Sequence, residues 1–240
     1  IAEQSGITPR TSFNTRVGPH RRWASAELDL TRIGKVRSRF GVSTVDVLTA
    51  VAGGALRWWL LEHDELPRES LTALVPLSVT DPEAIEGIAG AVVSLSTNLH
   101  RIPERLAVVH EQIGEAVTRH GAMTAAEIRG IGGGTPVVGI WASRRLDRSP
   151  LADRLMPPFN TTITSVPGSK EPEYALGAEV TGIYPVLGVV DGMGLHIGAI
   201  SVGDRLCLSL VSDREQIPDL GALADRFVDE FELLEQSKPG

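Results

Sequence analysis

From Thr44 to about His63 the chain carries a stretch that is apolar nearly all the way round: Val45, Val47, Leu48, Ala50, Val51, Ala52, Ala55, Leu56, Trp58, Trp59, Leu60 and Leu61. A helix with no polar face cannot lie on a surface, so it must be enclosed by other elements. That requirement selects layered folds with helices packed on a sheet. Ser43 or Thr44 can cap the helix, and Asp46 stands in its first turn, where the macrodipole favours a carboxylate. Asp46, two glycines and Arg57 interrupt the stretch, so it falls short of the roughly 18 uninterrupted apolar residues of a membrane span.

The partners of this helix follow from periodicity. Trp23, Ser25, Glu27 and Asp29 alternate with Ala24, Ala26, Leu28 and Leu30, which predicts a half-buried strand. Thr31 is the expected cap of a following helix on which Ile33, Val36 and Phe40 recur, with Gly41 as its stop. Strands are predicted at 71–79 and 90–99. Pro103 then opens a helix to about His120, with Leu106, Val109, Ile113 and Val117 on one face. Thr124 can cap a second helix that Gly130–Gly134 would disrupt. Further strands are predicted at 160–166, 174–181, 184–190, 195–202 and 206–212, the last two joined by Gly203-Asp204-Arg205 as a hairpin. Leu220, Leu223, Phe227, Phe231 and Leu234 make 218–234 a closing amphipathic helix. Helices early and strands late predict a mixed α/β fold, an α+β sandwich with helices on a largely antiparallel sheet.

Chemistry is sparse. The glycine run 130–134 lacks the Lys-Ser/Thr of a phosphate-cradling loop. The six histidines show no His-x-x-x-His spacing, and the single cysteine, Cys207, excludes a disulfide framework and a multi-cysteine zinc site; no metal is expected. His100 and Glu104 read as a solvated pair, His196 as a packed strand histidine and Cys207 as a buried inert thiol. Asp191-Gly-Met-Gly194 reads as a turn. No Gly-x-Ser-x-Gly elbow occurs. The formal net charge of −7 argues against nucleic acid as a partner. No basic and apolar leader with a cleavage site opens the sequence, so a cytoplasmic location is expected, and a start at Ile1 without Met fits a processed or cut fragment.

Five stretches in order carry a family resemblance. They are Phe13-Asn14 with Gly18-Pro19-His-Arg21-Arg22; Gly41-Val-Ser-Thr-Val-Asp46 leading to Gly54-Ala-Leu-Arg57; Val75-Pro76-Leu-Ser78; Thr164-Ser165-Val-Pro167-Gly168; and Ile200-Ser201-Val-Gly203 with Asp213 and Pro218-Asp219 beyond. Together they resemble the C-terminal half of a bacterial wax ester synthase/acyl-CoA:diacylglycerol acyltransferase.

The resemblance implies one lobe of a chloramphenicol acetyltransferase-like fold: residues 21–236 as the C-terminal lobe, 1–20 as a lead-in or inter-lobe linker and 237–240 as a tail. It implies fatty acyl transfer from acyl-CoA, a substrate and not a cofactor, to diacylglycerol or a long-chain alcohol. The implied catalytic base is the second His of an HHxxxDG motif on an N-terminal lobe, and this chain has no such motif, so it is expected to be inactive alone. Asp46, Arg21, Arg22, Pro76, Ser78, Ser165, Pro167 and Gly168 are the implied structural or substrate-lining positions. The expected partners are the N-terminal lobe, acyl-CoA and a lipid alcohol, with peripheral membrane or lipid-droplet association and self-association as further expectations. Val45, Thr80 and Ser165 stand where the family pattern has Asn, Arg and Asn. Those departures keep an alternative open, a degenerate lobe that binds lipid or a partner. A peptide-synthetase condensation-type domain is a third reading.

Overall fold

The computed structural model describes residues 8–76, 90–121, 159–169 and 171–239. Strand β1 (Arg21–Asp29) runs without a loop into helix α1 (Leu30–Phe40), so the cap is Asp29 and not the expected Thr31: Asp29 Oδ1 accepts the Arg32 N–H at 2.9 Å. Gly41 ends α1 in the left-handed region, as expected. Helix α2 (Thr44–Glu62) begins with a reciprocal capping box, Ser43 Oγ accepting the Asp46 N–H at 3.1 Å and Asp46 Oδ2 the Ser43 N–H at 2.7 Å. Thirteen consecutive-turn positions from Asp46 to Leu60 are buried, so the helix is enclosed as its composition requires.

Strands β2 (Thr72–Pro76) and β3 (Gly90–Ser94) precede helix α3 (Ile102–Gly121), and β4 (Thr161–Val166) follows. Then come the short pair β5 (Tyr174–Ala175) and β6 (Ala178–Glu179), the long hairpin β7 (Leu195–Val202) and β8 (Arg205–Asp213), and helix α4 (Leu220–Gln236). The main sheet has the order β1-β8-β7-β4-β2-β3. Its β1/β8, β8/β7 and β2/β3 pairs are antiparallel, but β7/β4 and β4/β2 are parallel, so the sheet is mixed where the sequence suggested a largely antiparallel one. The parallel pairs require long crossovers, which periodicity does not reveal.

Three further expectations fail locally. Residues 184–190 form no strand: Pro185 has no N–H to give a ladder and packs instead against Gly198, where an added Cβ would lie 2.8 Å from its ring. On α3 the buried stripe is Leu106, Val109, Ile113 and Ala116, while Val117 is exposed. Glu104 pairs at 2.9 Å with Arg101 and not with His100. The Thr124 cap and the glycine run 130–134 lie outside the described residues. The turn at Asp191–Gly194 is present, with Gly192 at φ +80° and Asp191 Oδ1 accepting the Val17 N–H at 2.7 Å.

One face of the sheet carries the core. Ala73, Val75, Ile163, Leu195, Ile197, Ala199, Leu208 and Leu210 meet α2 and α4 there. Within this layer lies a buried ion pair, Arg105 on α3 with Glu230 on α4 at 3.4 Å, the side chains only 2% and 6% exposed. Arg105 Nη2 also donates to the Leu99 carbonyl at 3.0 Å, and Arg226 Nη2 donates to Glu230 Oε1 at 2.7 Å. The Gly53-Gly54 pair in mid-helix α2 explains itself here. A Cβ on Gly54 would lie 2.0 Å from Glu230 Oε2, and one on Gly53 would lie 2.1 Å from the Leu95 carbonyl oxygen.

Candidate functional site

Strands β2, β4 and β7 run in the same direction, so their C-terminal ends come together at one edge of the lobe. Pro76 ends β2, and Ser165 pairs with Ala199 and Val166 with Ile200 near the ends of β4 and β7. Pro167 and Gly168 follow directly. Gly168 N–H donates to Ser201 Oγ at 2.8 Å, and a Cβ there would meet the Ser201 carbonyl oxygen at 2.0 Å, so the Ser-Val-Pro-Gly turn is clamped to the end of β7 and requires glycine. Of the sequence-derived site residues, Pro76, Ser165, Pro167 and Gly168 thus form one cluster. The carboxyl ends of parallel strands are where open α/β sheets place ligands. Ser78 lies outside the described residues.

Arg21 and Arg22 are at the opposite end. Strand β1 runs parallel in direction to β7, so its first residues adjoin the last of β8: Arg21 pairs with Asp213 and Arg22 with Ser212. Arg21 Nη1 donates to the Gly18 carbonyl at 2.6 Å and lies 3.6 Å from Asp213 Oδ2. Asp213, 1% exposed, also accepts the N–H groups of Gly18, Glu215 and Gln216. Arg22 is exposed. Asn14 and Asn160 interlock here: Asn160 Nδ2 donates to Asn14 Oδ1 at 2.7 Å, and Asn14 Nδ2 returns to the Asn160 carbonyl at 2.9 Å. A cleft of about 600 Å³ opens at this end, lined by residues including Ser12, Arg16, Trp59, His63, Glu65 and Asp213. His63 stacks on Trp59 with ring centroids 4.0 Å apart, and the Trp59 indole N–H donates to Asp219 Oδ1 at 2.7 Å. The Phe-Asn, Gly-Pro and Pro-Asp motif residues therefore organise one end of the lobe, away from the strand-end cluster.

Asp46 belongs to neither group. Its Oδ2 accepts from Ser43 N and lies 2.8 Å from His110 Nδ1, while Oδ1 is buried with no hydrogen-bond partner among the described residues. The carboxylate caps α2 and ties it to α3 through His110. The His110 contact had no signal in the sequence, because the residues are 64 positions apart. For Arg105 and Glu230 the sequence signals burial but not their pairing: Arg105 sits four before Val109 on the buried stripe, and Glu230 three after Phe227.

On the second face of the sheet His196 is buried. Desolvation pushes its pKa down to about 4, so the ring is neutral, with Nε2 3.5 Å from Thr164 Oγ1. Cys207 is a buried free thiol. Among the described residues no group of three or more His, Cys, Asp or Glu is placed to hold a metal ion, and no helix is long and apolar enough to cross a membrane.

Comparison with known proteins gives a consistent result. Residues 87–235 match the WS/DGAT C-terminal domain, and residues 3–48 match the wax ester synthase/diacylglycerol acyltransferase catalytic domain. A putative diacylglycerol O-acyltransferase of Mycobacterium tuberculosis is 33% identical over 233 residues, covering 95% of this chain and 51% of that protein. The O-acyltransferase WSD of Acinetobacter baylyi is 30% identical over 236 residues, covering 95% and 49%. The solved wax ester synthase/diacylglycerol acyltransferase of Marinobacter aquaeolei superposes with a TM-score of 0.82 at 30% identity, covering 95% of this chain and 52% of that one. A nonribosomal peptide synthetase structure, at TM-score 0.60 and 17% identity, shares the fold alone. The chain spans about half the length of the curated relatives it matches. The ordered motifs, the mixed sheet with its helical layer and these matches establish that the chain belongs to the wax ester synthase/diacylglycerol acyltransferase family and carries its C-terminal domain.

Proposed function

We propose that this chain is the C-terminal lobe of an O-acyltransferase that moves a fatty acyl group from acyl-CoA to the hydroxyl of diacylglycerol or a long-chain alcohol. The observation that carries the reading is the cluster of Pro76, Ser165, Pro167 and Gly168 at the ends of three parallel strands, in a chain that matches one half of its relatives. In this reading residues 21–236 are the lobe, 1–20 lead into it from the catalytic lobe, and 237–240 are a tail. The base is an imidazole of the HHxxxDG motif on the catalytic lobe. It takes the proton of the acceptor hydroxyl as the oxygen attacks the thioester carbonyl, and the CoA thiolate leaves as the ester forms. This lobe contributes a wall. The strand-end turn, fixed by the Gly168–Ser201 contact, holds its shape without a charged group, which suits a lipid acceptor.

A second reading, a lobe that binds lipid or a partner without supporting turnover, is favoured by Val45, which puts an apolar side chain beside Asp46 where the family pattern has Asn. One experiment separates the two. The chain is combined with an N-terminal catalytic lobe of the family, and CoA release from palmitoyl-CoA is followed with diacylglycerol or hexadecanol. The chain alone is expected to be silent, since general-base catalysis alone supplies roughly 10²–10⁴ in rate. Turnover by the pair supports the transferase; binding without turnover, restored by Val45→Asn, supports the second reading. Turnover by the chain alone overturns both.

A further inference from the structure

Strand β1 is an edge strand: β8 occupies one side of it, and among the described residues no strand occupies the other. Its register decides which backbone groups the free side offers. Antiparallel pairs alternate between positions that exchange hydrogen bonds and positions that do not. The ladder continues past both ends of β1: Leu30 N–H donates to the Asp204 carbonyl at 2.8 Å, and Arg214 N–H to the His20 carbonyl at 3.2 Å. Even-numbered residues therefore bond to β8, while Arg21, Trp23, Ser25, Glu27 and Asp29 turn their N–H and C=O groups outward. All five are exposed, and neither proline nor glycine interrupts the strand. A long, regular edge of this kind is a template for a further strand.

Charge identifies the occupant. Charged side chains commonly keep strands off an edge, and β1 carries such residues, but here they are sorted by sign: Arg21 and Arg22 at its start, Glu27 and Asp29 at its end. A strand sorted in this way repels an in-register parallel copy of itself and attracts an antiparallel one. Turned about a two-fold axis through Ser25, a second copy sets Ser25 against Ser25, Trp23 against Glu27 and Arg21 against Asp29. Each of these pairs joins two outward-facing residues, so hydrogen bonding and charge call for the same register. Arg21 lies 3.6 Å from Asp213, and Glu27 accepts from Tyr184 and Arg205, yet the Arg21 and Glu27 side chains remain 38% and 40% exposed. Trp23, 48% exposed, would lie beside Glu27 of the second copy and lose part of its contact with water. We infer that β1 pairs with β1 of a second copy of this chain, antiparallel and centred on Ser25, so that one sheet runs through both copies. The inference does not depend on the acyl-transfer reading.

The test uses one introduced cysteine. In a hydrogen-bonded antiparallel pair the Cα atoms are about 5.5 Å apart, within the range a disulfide spans. Ser25→Cys should therefore give a disulfide-linked dimer under mild oxidation, reversed by reductant, with the link mapped between two copies of position 25 by peptide mass spectrometry. The native Cys207 thiol is buried and does not compete. Ser38→Cys, at an exposed position of α1, is the control and should cross-link far more slowly. In sedimentation velocity the unmodified chain should dimerise. Ser25→Pro removes an N–H that faces the free edge, a place where strands tolerate proline, and should weaken the dimer about 10- to 100-fold with the far-UV spectrum unchanged. A chain that stays monomeric throughout the micromolar range overturns the inference. So does Ser25→Cys that links no faster than Ser38→Cys, or a dimer that persists unweakened in folded Ser25→Pro. Should Ser25→Pro lose its fold, the link at position 25 and the sedimentation of the unmodified chain decide the matter.

Discussion

The two faces of the sheet are built on different terms. On the helical face, α2, α3 and α4 enclose a buried charge pair, Arg105–Glu230, with mid-helix Gly54 making room for Glu230 and Gly53 for the Leu95 carbonyl. Even so, Arg105 Nε and Arg226 Nε find no partner among the described residues, so the layer tolerates little rearrangement. On the other face a strap without regular structure crosses the strands at a few anchors. Tyr184 donates to Glu27 and packs edge-on to Trp23 at 5.9 Å, and Pro185 sits over Gly198. The Glu27 carboxylate favours the protonated phenol and pushes the Tyr184 pKa up to about 12. Trp23, Val166, Tyr174, Leu176 and Val186 remain exposed around it. The first face is finished by this chain, and the second has the character of a surface awaiting cover.

Mutations should divide along the same line. Arg105→Ala leaves Glu230 buried beside fewer charges and is expected to cost about 3–5 kcal/mol in denaturant unfolding. Replacing the pair by Arg105→Met with Glu230→Leu should recover most of that loss, because the desolvation cost goes with the charges. On the strap side, Val186→Ser should stay within about 0.5 kcal/mol, as exposed substitutions do. Equal costs on the two faces would break the comparison.

His196 sharpens it, because it is a buried titrating group on the less covered face. Its proton uptake is delayed in the fold, from an ordinary value of 6.5 down to about 4. Between those values the unfolded chain binds more protons. The contribution is therefore complete above about pH 6.5 and lost as pH falls toward 4, by about 3 kcal/mol at most. His196→Asn should flatten that part of the stability profile. An unchanged slope would show that the ring is hydrated in solution and that the strap does not seal the strands beneath it.

A smaller effect than that of the charge pair concerns the seam between α2 and α3. Asp46→Ala removes the capping box and the His110 contact together and should cost about 0.5–2 kcal/mol in thermal unfolding. His110→Ala should cost less, since its side chain is half exposed and exposed pairs contribute little. Loss of acyl transfer in the reassembled pair, with stability unchanged, would move Asp46 from the scaffold into the site.

What was legible in the sequence was whatever a short window fixes. The enclosed helix α2, the Ser43 cap with Asp46, the Gly41 stop and the β7–β8 hairpin all rest on periodicity or local turn chemistry, which act within a few residues. Residues 184–190 misled because alternation marks an extended chain, whether or not a neighbouring strand accepts its hydrogen bonds. The cap at Asp29 was missed because a strand ran into a helix with no loop to mark the change. The motifs placed Pro76, Ser165, Pro167 and Gly168 in order along the chain, but not beside one another.

That adjacency is a property of strand direction. Pro76 and Ser165 reach the same edge of the sheet because β2, β4 and β7 are parallel, and Arg21 and Arg22 are carried to the far end by the same rule. The sequence by itself determined which segments are helix or strand, which helix must be enclosed and, through ordered motifs, the family. Only the tertiary structure decided that Arg105 faces Glu230 across 125 positions, that Asp46 holds His110, and that Trp23, Val166 and Val186 stay exposed. Local pattern fixes backbone conformation, because that is set by interactions over a few residues. Side chains far apart in sequence meet only when the whole layer packs, and no local pattern carries that information.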